Sequence, residues 1–218
     1  EGIIACLAQD TIDYSHFEQL YDLGVPTVFF ARTCMPDKFS QVVANGDEAA
    51  FEATMHLIET GSKRIAFIGG PNHLDMVKRR KHGYLQALKE ARIPIDRRLV
   101  VCDKIDFDVA RNATIQLLQS EDRPDAILAF NDIVTYAAFD AIKSLGMSIP
   151  EDVAIIGFTD GDTAAFVTPR LSAIMDQASV QGMKACELLM KNINGDTRIY
   201  REVVPMILKI RESSEKNL

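Results

Sequence analysis

The sequence predicts an α/β fold in which parallel sheets are covered by helices on both faces. Short runs rich in Val, Ile and Phe alternate along the chain with amphipathic stretches of helical length. This alternation is typical of repeated β–α units. The predicted strands are also apolar throughout, rather than at every second position, as expected for strands buried on both faces of a parallel sheet.

The predicted strands are short apolar runs bounded by turn residues. In order they are Ile3–Ala8, Pro26–Ala31, Arg64–Ile68, Leu99–Cys102, Ala126–Phe130, Val153–Phe158, Leu171–Met175 and Val203–Ile210. The predicted helices repeat apolar residues three and four positions apart. They are Phe17–Leu23, Asp47–Glu59, Val77–Ala91, Val109–Gln119, Ile133–Leu145 and Val180–Asn192. Asp47 is expected to cap one helix start, and Gly61 and Gly146 are expected at helix C-termini.

Composition excludes several classes of function. The chain has 218 residues and a net charge of −7, so it repels phosphate backbones and is not expected to bind nucleic acid by itself. No apolar run approaches the roughly 20 residues that cross a bilayer, and no membrane association is expected. The segment Gly2–Ala8 lacks the basic leader of a signal peptide and is interpreted as a buried strand.

Neither the cysteines nor any motif in the sequence indicates a disulfide, a metal site or catalysis. Cys6, Cys34, Cys102 and Cys186 are scattered without a CxxC pair, and we interpret them as small buried hydrophobes kept reduced in the cytoplasm. No metal or cofactor is expected. The chain lacks a phosphate-binding loop, a GxSxG elbow and an HExxH motif, so no catalytic residue is predicted.

Candidate ligand-binding residues follow the predicted strands, because ligands of parallel α/β sheets bind beyond the carboxyl ends of the strands. These positions offer guanidinium, amide, carboxylate, hydroxyl and aromatic groups, which suit a sugar. The candidates are Arg32, Arg80, Phe107, Asn131, Thr159 and Asp160. Each also has a structural interpretation. Asn131 or Asp132 stands where a helix N-cap belongs, Arg80 resembles a solvated helix charge, and Asp160 resembles part of a surface turn.

An ordered series of motifs runs through nearly the whole chain. It comprises Val25–Arg32, Ala53–Ile58 with Gly61, Arg64–Pro71, Arg80 with Gly83-Tyr84, Arg123–Asp132, Ile149–Val153 after Gly146, Gly157–Asp160, Thr168-Pro169, and Pro205 with Arg211–Ser213. In this order the motifs resemble the effector-binding domain of the lactose-repressor/galactose-repressor (LacI/GalR) family of bacterial transcription regulators. Any one motif is weak evidence, and the series is strong.

The resemblance implies a fold like that of type I periplasmic sugar-binding proteins, with two doubly wound lobes, three crossovers and a ligand in the cleft between them. Residues 1–61 and 174–198 would form the N-terminal lobe, and residues 62–173 and 199–218 the C-terminal lobe. Arg80 and Asn131 match family residues that hydrogen-bond the effector, and the family position of Thr159 also contacts it.

The chain departs from the family pattern in its expected pocket. The family usually has aspartate at the positions of Ala31 and Thr159, and glutamine at the position of Asp176. Leu74 and Met76 occupy loop positions that are often polar, which makes Met76 an apolar candidate for the pocket. These changes remove two carboxylates and add apolar surface, and Asp160 is a candidate to take over one carboxylate role.

The resemblance also implies that the chain starts inside the N-terminal lobe, without the helix-turn-helix headpiece and the first two β–α units. An incomplete N-terminal lobe is therefore expected, and the chain is interpreted as a fragment of a longer regulator. DNA would be bound only through the missing headpiece.

Three functions remain open. The first is a cytoplasmic, homodimeric sensor of a small molecule, such as a sugar or related polyol, in a transcription regulator. The second is a periplasmic solute-binding protein of the same fold, which the scattered cysteines and the Arg123–Asp132 motif disfavour. The third is an enzyme that uses a carboxylate in the cleft, which the absence of a nucleophile–base pair disfavours.

Overall fold

The computed structural model describes residues 1–159 and 162–216, and it divides into two compact units. Unit 1 contains Glu1–Asn45 and Gln177–Pro205, and unit 2 contains Gly46–Asp176 and the chain from Met206 onward. The chain passes between the units three times, which agrees with the three crossovers implied by the resemblance.

The strands and helices follow one another in the predicted alternation. The strands are β1 (Ile3–Ala5), β2 (Thr27–Phe30), β3 (Ser40–Ala44), β4 (Ile65–Gly69), β5 (Val100–Cys102), β6 (Ala126–Ala129), β7 (Ala154–Phe158), β8 (Ser172–Met175), β9 (Arg201–Val204) and β10 (Ile207–Lys209). The α-helices are α1 (Ser15–Asp22), α2 (Gly46–Glu59), α3 (Asp75–Glu90), α4 (Phe107–Leu118), α5 (Asp132–Ser144) and α6 (Ala178–Ile193). Short 3₁₀ helices occupy Arg97–Leu99, Asp162–Ala165 and Glu212–Ser214.

Unit 1 is a parallel sheet with the strand order β1-β2-β3-β9. Val28 faces α6, where it packs in one cluster with Ala185 and Leu188. The next residue, Phe29, faces the other side and meets Phe17 of α1 edge to face, with ring centroids 4.8 Å apart. Because successive strand residues point to opposite faces, both sides of this sheet are covered.

Unit 2 is a larger sheet with the strand order β10-β8-β7-β6-β4-β5, parallel except for β10, which is antiparallel to β8. On one face, Ile127 and Ile155 belong to a core cluster with residues of α4 and α5. On the other face, Phe67 stacks on Tyr84 of α3 with ring centroids 5.6 Å apart. The prediction of parallel sheets with helices on both faces is confirmed.

Two glycines allow the helices of unit 2 to approach their neighbours closely. A Cβ atom on Gly83 of α3 would overlap the carbonyl oxygen of Asp47 in α2. A Cβ atom on Gly157 of β7 would overlap the hydroxyl group of Thr135 in α5. Gly83 lies three residues after Arg80, and Gly157 lies two residues before Thr159, so close packing constrains the backbone near both candidate residues.

The observed unit boundaries differ from the predicted ones. Helix α2 was assigned to the N-terminal lobe 1–61, but it packs on α3 and belongs to unit 2. Residues 174–176 were also assigned to that lobe, but β8 holds them in unit 2. Residues 199–205 were assigned to the C-terminal lobe, but β9 pairs with β3 in unit 1. The predicted strand Val203–Ile210 is two strands, one in each unit.

The structure also differs from the prediction in several local features. Strand β3 was not predicted at all, and β1 ends at Ala5. The prediction that all four cysteines are buried was wrong: Cys6 follows the end of β1 and is exposed, and Cys186 is exposed on α6. Helix α2 already begins at Gly46, so Asp47 lies in its first turn and is not the residue that precedes the helix.

In the part of the chain that the structure describes, no helix is both long and apolar enough to span a bilayer.

Candidate functional site

Strands β4, β6 and β7 of unit 2 lie side by side and end at the same side of the sheet. Ala129 of β6 pairs with Ile68 of β4 and with Gly157 of β7. The segments that follow therefore leave the sheet next to one another, where ligands of parallel α/β sheets bind. We name the region formed by residues 130–132 and 158–159 the carboxyl edge of unit 2.

Arg80 of α3 is a buried cation at this carboxyl edge. It is only 7% exposed, and its Nη1 donates a hydrogen bond to the carbonyl oxygen of Phe130. Its Cζ lies 3.9 Å from the centroid of the Phe158 ring and 5.0 Å from that of the Phe130 ring. Guanidinium groups are attracted to aromatic faces at such distances. The burial of Arg80 excludes the interpretation of this residue as a solvated helix charge.

Asn131 and Asp132 have different positions in α5. Asn131 is the N-cap, and its Oδ1 accepts a hydrogen bond from the backbone N–H of Val134 at 3.0 Å. Asp132 is the first residue of the helix and is exposed. Its Oδ1 accepts a hydrogen bond from the hydroxyl group of Thr159. The sequence left open which of the two residues is the cap, and the structure assigns the cap to Asn131.

Thr159 is fixed at the end of β7 by two contacts. It is 1% exposed, and its backbone N–H donates to the carbonyl of Ile174 at 3.1 Å. Its hydroxyl donates to Asp132, as described above. Thr159 thus ties the end of β7 to the start of α5.

The loop after β5 reaches the same edge through Ile105. A Cβ atom on Gly70 would lie 2.8 Å from Cγ1 of Ile105 and 3.3 Å from Cε1 of Phe130. Phe107 begins α4 two residues later and is 42% exposed, after the N-cap Asp106. This loop therefore brings apolar side chains towards the end of β6.

The thiol at the end of β5 is poorly suited to nucleophilic chemistry. Burial raises the pKa of Cys102 above its ordinary value, and the charge of Lys81 lowers that pKa by a smaller amount. A thiol with a raised pKa holds little of the reactive thiolate at neutral pH. Within residues 1–159 and 162–216, no three His, Cys, Asp or Glu residues are grouped so as to hold a metal ion.

The predicted site residues are distributed over both units. Arg80, Asn131 and Thr159 lie at the carboxyl edge. Met76 lies half-buried on α3, one turn before Arg80, and Phe107 begins α4 after the loop that follows β5. Arg32 belongs to unit 1, where its Nε donates to the carbonyl of Leu7. Asp160 lies outside the described residues.

Sequence reasoning did not select three residues of this edge. Phe130 and Phe158 support the guanidinium of Arg80, and Asp132 holds the hydroxyl of Thr159. A signal for Asp132 was present, because only one member of the Asn131-Asp132 pair is needed as a cap. No signal marked the two aromatic residues, which have the pattern of ordinary core strands.

Comparison with known proteins identifies the family. The profile of the periplasmic binding protein-like domain matches residues 54–214. The chain belongs to this family. The resemblance of this periplasmic binding protein-like chain to LacI-family regulators is likewise confirmed by its relatives.

Two curated relatives and one solved structure illustrate this similarity. The HTH-type transcriptional repressor PurR of Aliivibrio salmonicida is 32% identical over 153 residues, which are 70% of this chain and 46% of PurR. The HTH-type transcriptional regulator CelR of Thermobifida fusca is 32% identical over 199 residues, which are 90% of this chain and 58% of CelR. A structure of the transcriptional regulator CelR–cellobiose complex is 30% identical with a TM-score of 0.87, covering 97% of this chain and 65% of that one. The chain spans about half the length of the curated relatives it matches.

Proposed function

We propose that this chain is the ligand-sensing part of a transcription regulator and that it binds a sugar or related polyol at the carboxyl edge of unit 2. The observation that carries the proposal is the position of Arg80. A cation this deeply buried is costly unless it is paired, and here it stacks on Phe158 and donates to the Phe130 carbonyl. Such a preorganised donor at the strand ends is suited to ligand recognition.

The other groups at this edge support a polyol ligand. Asn131 supplies an amide, Asp132 a carboxylate and Thr159 a hydroxyl group, so donors and acceptors alternate over a short distance. Met76, Ile105 and Phe107 add apolar surface for the C–H face of a sugar ring. The cellobiose complex of CelR, which shares the fold over 97% of this chain, supports a sugar as the ligand class.

The role in the whole protein follows from the regulator names of the relatives. We infer that ligand binding changes the affinity of a helix-turn-helix segment for DNA, in a cytoplasmic homodimer that has no catalytic turnover. A ligand does this only as far as it binds one conformation more tightly than the other. The same names favour a regulator over a solute-binding protein.

A thermal-shift screen tests the proposal. The panel holds cellobiose, ribose, glucose 6-phosphate, glucuronate and purine bases. A binder raises the melting temperature in a concentration-dependent way. No shift with any compound would contradict the proposed function.

Variants then test the site by isothermal titration of the compound that binds. Arg80→Ala and Asn131→Ala should each weaken binding by at least ~1 kcal/mol through a lost polar contact. Arg79→Ala is the matched control, because the neighbouring Arg79 pairs with Asp75 on the helix surface at 2.6 Å. Asn131→Asp keeps a good N-cap and separates loss of the amide from loss of the cap. Unchanged affinity in both alanine variants would remove the site assignment.

A further inference from the structure

We propose that Asp132, oriented by Thr159, makes the carboxyl edge of unit 2 select uncharged, hydroxyl-rich ligands over phosphorylated or carboxylated ones. This inference rests on the proposed function, because it concerns the same site. It assigns the preference for one class of ligand to Asp132 and Thr159, two residues that the sequence analysis did not connect.

The first step of the argument is that α5 does not need Asp132 as a cap. Asn131 already accepts the hydrogen bond from the Val134 N–H that an N-cap provides. An aspartate in the first turn gains from the helix dipole, but that gain requires no particular side-chain orientation. The Asp132 side chain is therefore not needed to cap α5, and its carboxylate is available for another contact.

The second step is that Thr159 fixes the orientation of the Asp132 carboxylate. A threonine hydroxyl has one proton to donate, and here that proton goes to Oδ1 of Asp132. Thr159 itself is 1% exposed, and its backbone N–H donates to the Ile174 carbonyl, so the position of this residue at the end of β7 is fixed. The result is an exposed carboxylate held at the strand ends, with one oxygen bonded to Thr159 and acceptor capacity left for a ligand.

The third step concerns charge. Arg80 and Asp132 place charges of opposite sign around the ends of β6 and β7. Neighbouring hydroxyl groups of one sugar can accept from the guanidinium and donate to the carboxylate at the same time. A phosphate or carboxylate attracted by Arg80 would be repelled by Asp132, because like charges repel each other at short range. The pair therefore favours neutral polyols.

Titration calorimetry with matched compounds tests this inference. The pairs are glucose with glucuronate, ribose with ribose 5-phosphate, and cellobiose with cellobionate. Wild-type protein should bind the neutral member of the preferred pair at least about tenfold more tightly. Asp132→Asn should bind the neutral compound about tenfold more weakly. It should also narrow or reverse the preference for the neutral compound over the anionic one, because the carboxylate that repels the anionic compound is gone.

Thr159 variants separate orientation from charge. Thr159→Val keeps the Asp132 charge and the side-chain shape, so it should weaken neutral binding while it keeps the neutral preference. Thr159→Ser retains the hydroxyl and should restore affinity. Asp140→Asn is the control, because Asp140 lies on the same helix and pairs with Arg111 at 2.5 Å, away from the carboxyl edge.

The outcomes of these titrations distinguish failure of the inference from failure of the proposed function. If Asp132→Asn is folded by circular dichroism and keeps the wild-type affinity ratio, the inference is overturned while the proposed function stands. If wild-type protein prefers the anionic members, the inference is likewise overturned and a ligand-binding function remains. If wild-type protein binds none of the compounds, the proposed function and the inference fail together.

Discussion

The sheets of the two units are buried in different ways. Every residue of β4, β6 and β7 in unit 2 is buried, and all are apolar or glycine. In unit 1, β3 begins with the buried polar residues Ser40 and Gln41. Gln41 accepts from Thr33 at 3.0 Å and donates to the Cys34 carbonyl at 2.7 Å. The side chains of these central strands of unit 2 thus pack without polar groups, whereas the side chains of β3 in unit 1 also make buried hydrogen bonds.

The largest expected loss of stability comes from disturbing the close contact between helices α2 and α3 of unit 2. Gly83→Ala would force α3 away from the Asp47 carbonyl, so we expect a loss of about 3 kcal/mol in the free energy of unfolding. Urea denaturation followed by circular dichroism measures it. Gly182→Ala in α6 of unit 1 is the control, because a Cβ there meets nothing within 4 Å and alanine should stabilise the helix by about 0.5–1 kcal/mol. Equal effects of the two changes would contradict the close packing.

A smaller effect is expected from removing the buried hydrogen bonds of unit 1. Gln41→Leu keeps the side-chain volume but leaves the Cys34 carbonyl and the Thr33 hydroxyl without these partners, at a cost of about 1–3 kcal/mol. The same denaturation experiment measures the cost. Gln116→Leu on the exposed surface of α4 should change stability by less than about 0.5 kcal/mol. An unchanged free energy of unfolding in Gln41→Leu would mean that β3 does not depend on these hydrogen bonds.

An acid-stability comparison should give a still smaller difference. Asp96 in unit 2 and Asp196 in unit 1 each accept hydrogen bonds from the side chain and the backbone N–H of the arginine two residues later, and these bonds lower the pKa of both carboxyl groups. The folded-state pKa lies below the unfolded value of about 4, so the stabilisation is present above about pH 4 and is lost as the pH falls through the folded pKa. Both arginines are largely exposed, which keeps the effect small.

The variants Asp96→Asn and Asp196→Asn should therefore lose stability less steeply than wild-type protein between about pH 5 and pH 2. Thermal unfolding at each pH measures the slope. Each carboxylate has one further partner, Arg64 at 3.1 Å for Asp96 and the Tyr200 hydroxyl at 2.8 Å for Asp196, so both replacements should flatten the curve. A wild-type slope in both variants would show that neither turn contributes to acid sensitivity.

Thiol labelling tests how closely unit 1 packs around Cys34. In native protein the exposed Cys6 and Cys186 should react with a disulfide reagent, whereas burial raises the pKa of Cys34 to about 11 and should protect it. Mass spectrometry after timed quenching assigns each site. Gln41→Leu should speed the labelling of Cys34, because the Gln41 side chain holds the carbonyl of that residue. Rapid labelling of Cys34 in wild-type protein would contradict a closed unit 1.

This difference between the units also explains which parts of the fold were predictable. Strands β4, β5, β6 and β7 of unit 2 are continuous runs of apolar residues and glycine, and the sequence locates each of them to within one residue. Strand β3 was missed because Ser40 and Gln41 interrupt its apolar pattern, and their partners become visible only in the folded structure. The assignment of α2 failed because the close approach at Gly83 joins segments that are distant in sequence.

The candidate site shows the same limit. Arg80 and Asn131 were selected from their positions after strands and from a family resemblance. The contact between Asp132 and Thr159 spans 27 residues and has no local signature. The stacking of Arg80 on Phe158 was equally hidden, because an aromatic residue at a strand end has the pattern of the core.

The division of the last predicted strand at Pro205 has a consequence for synthesis. Unit 1 receives its outer strand β9 and unit 2 its outer strand β10 from neighbouring stretches, Arg201–Val204 and Ile207–Lys209. Chains generally fold domain by domain as they leave the ribosome, the earlier domain first. Here neither sheet can close until this late stretch has emerged. Both units therefore reach completion almost together, and a nascent chain stalled before Arg201 would expose two open sheet edges to chaperones and proteases.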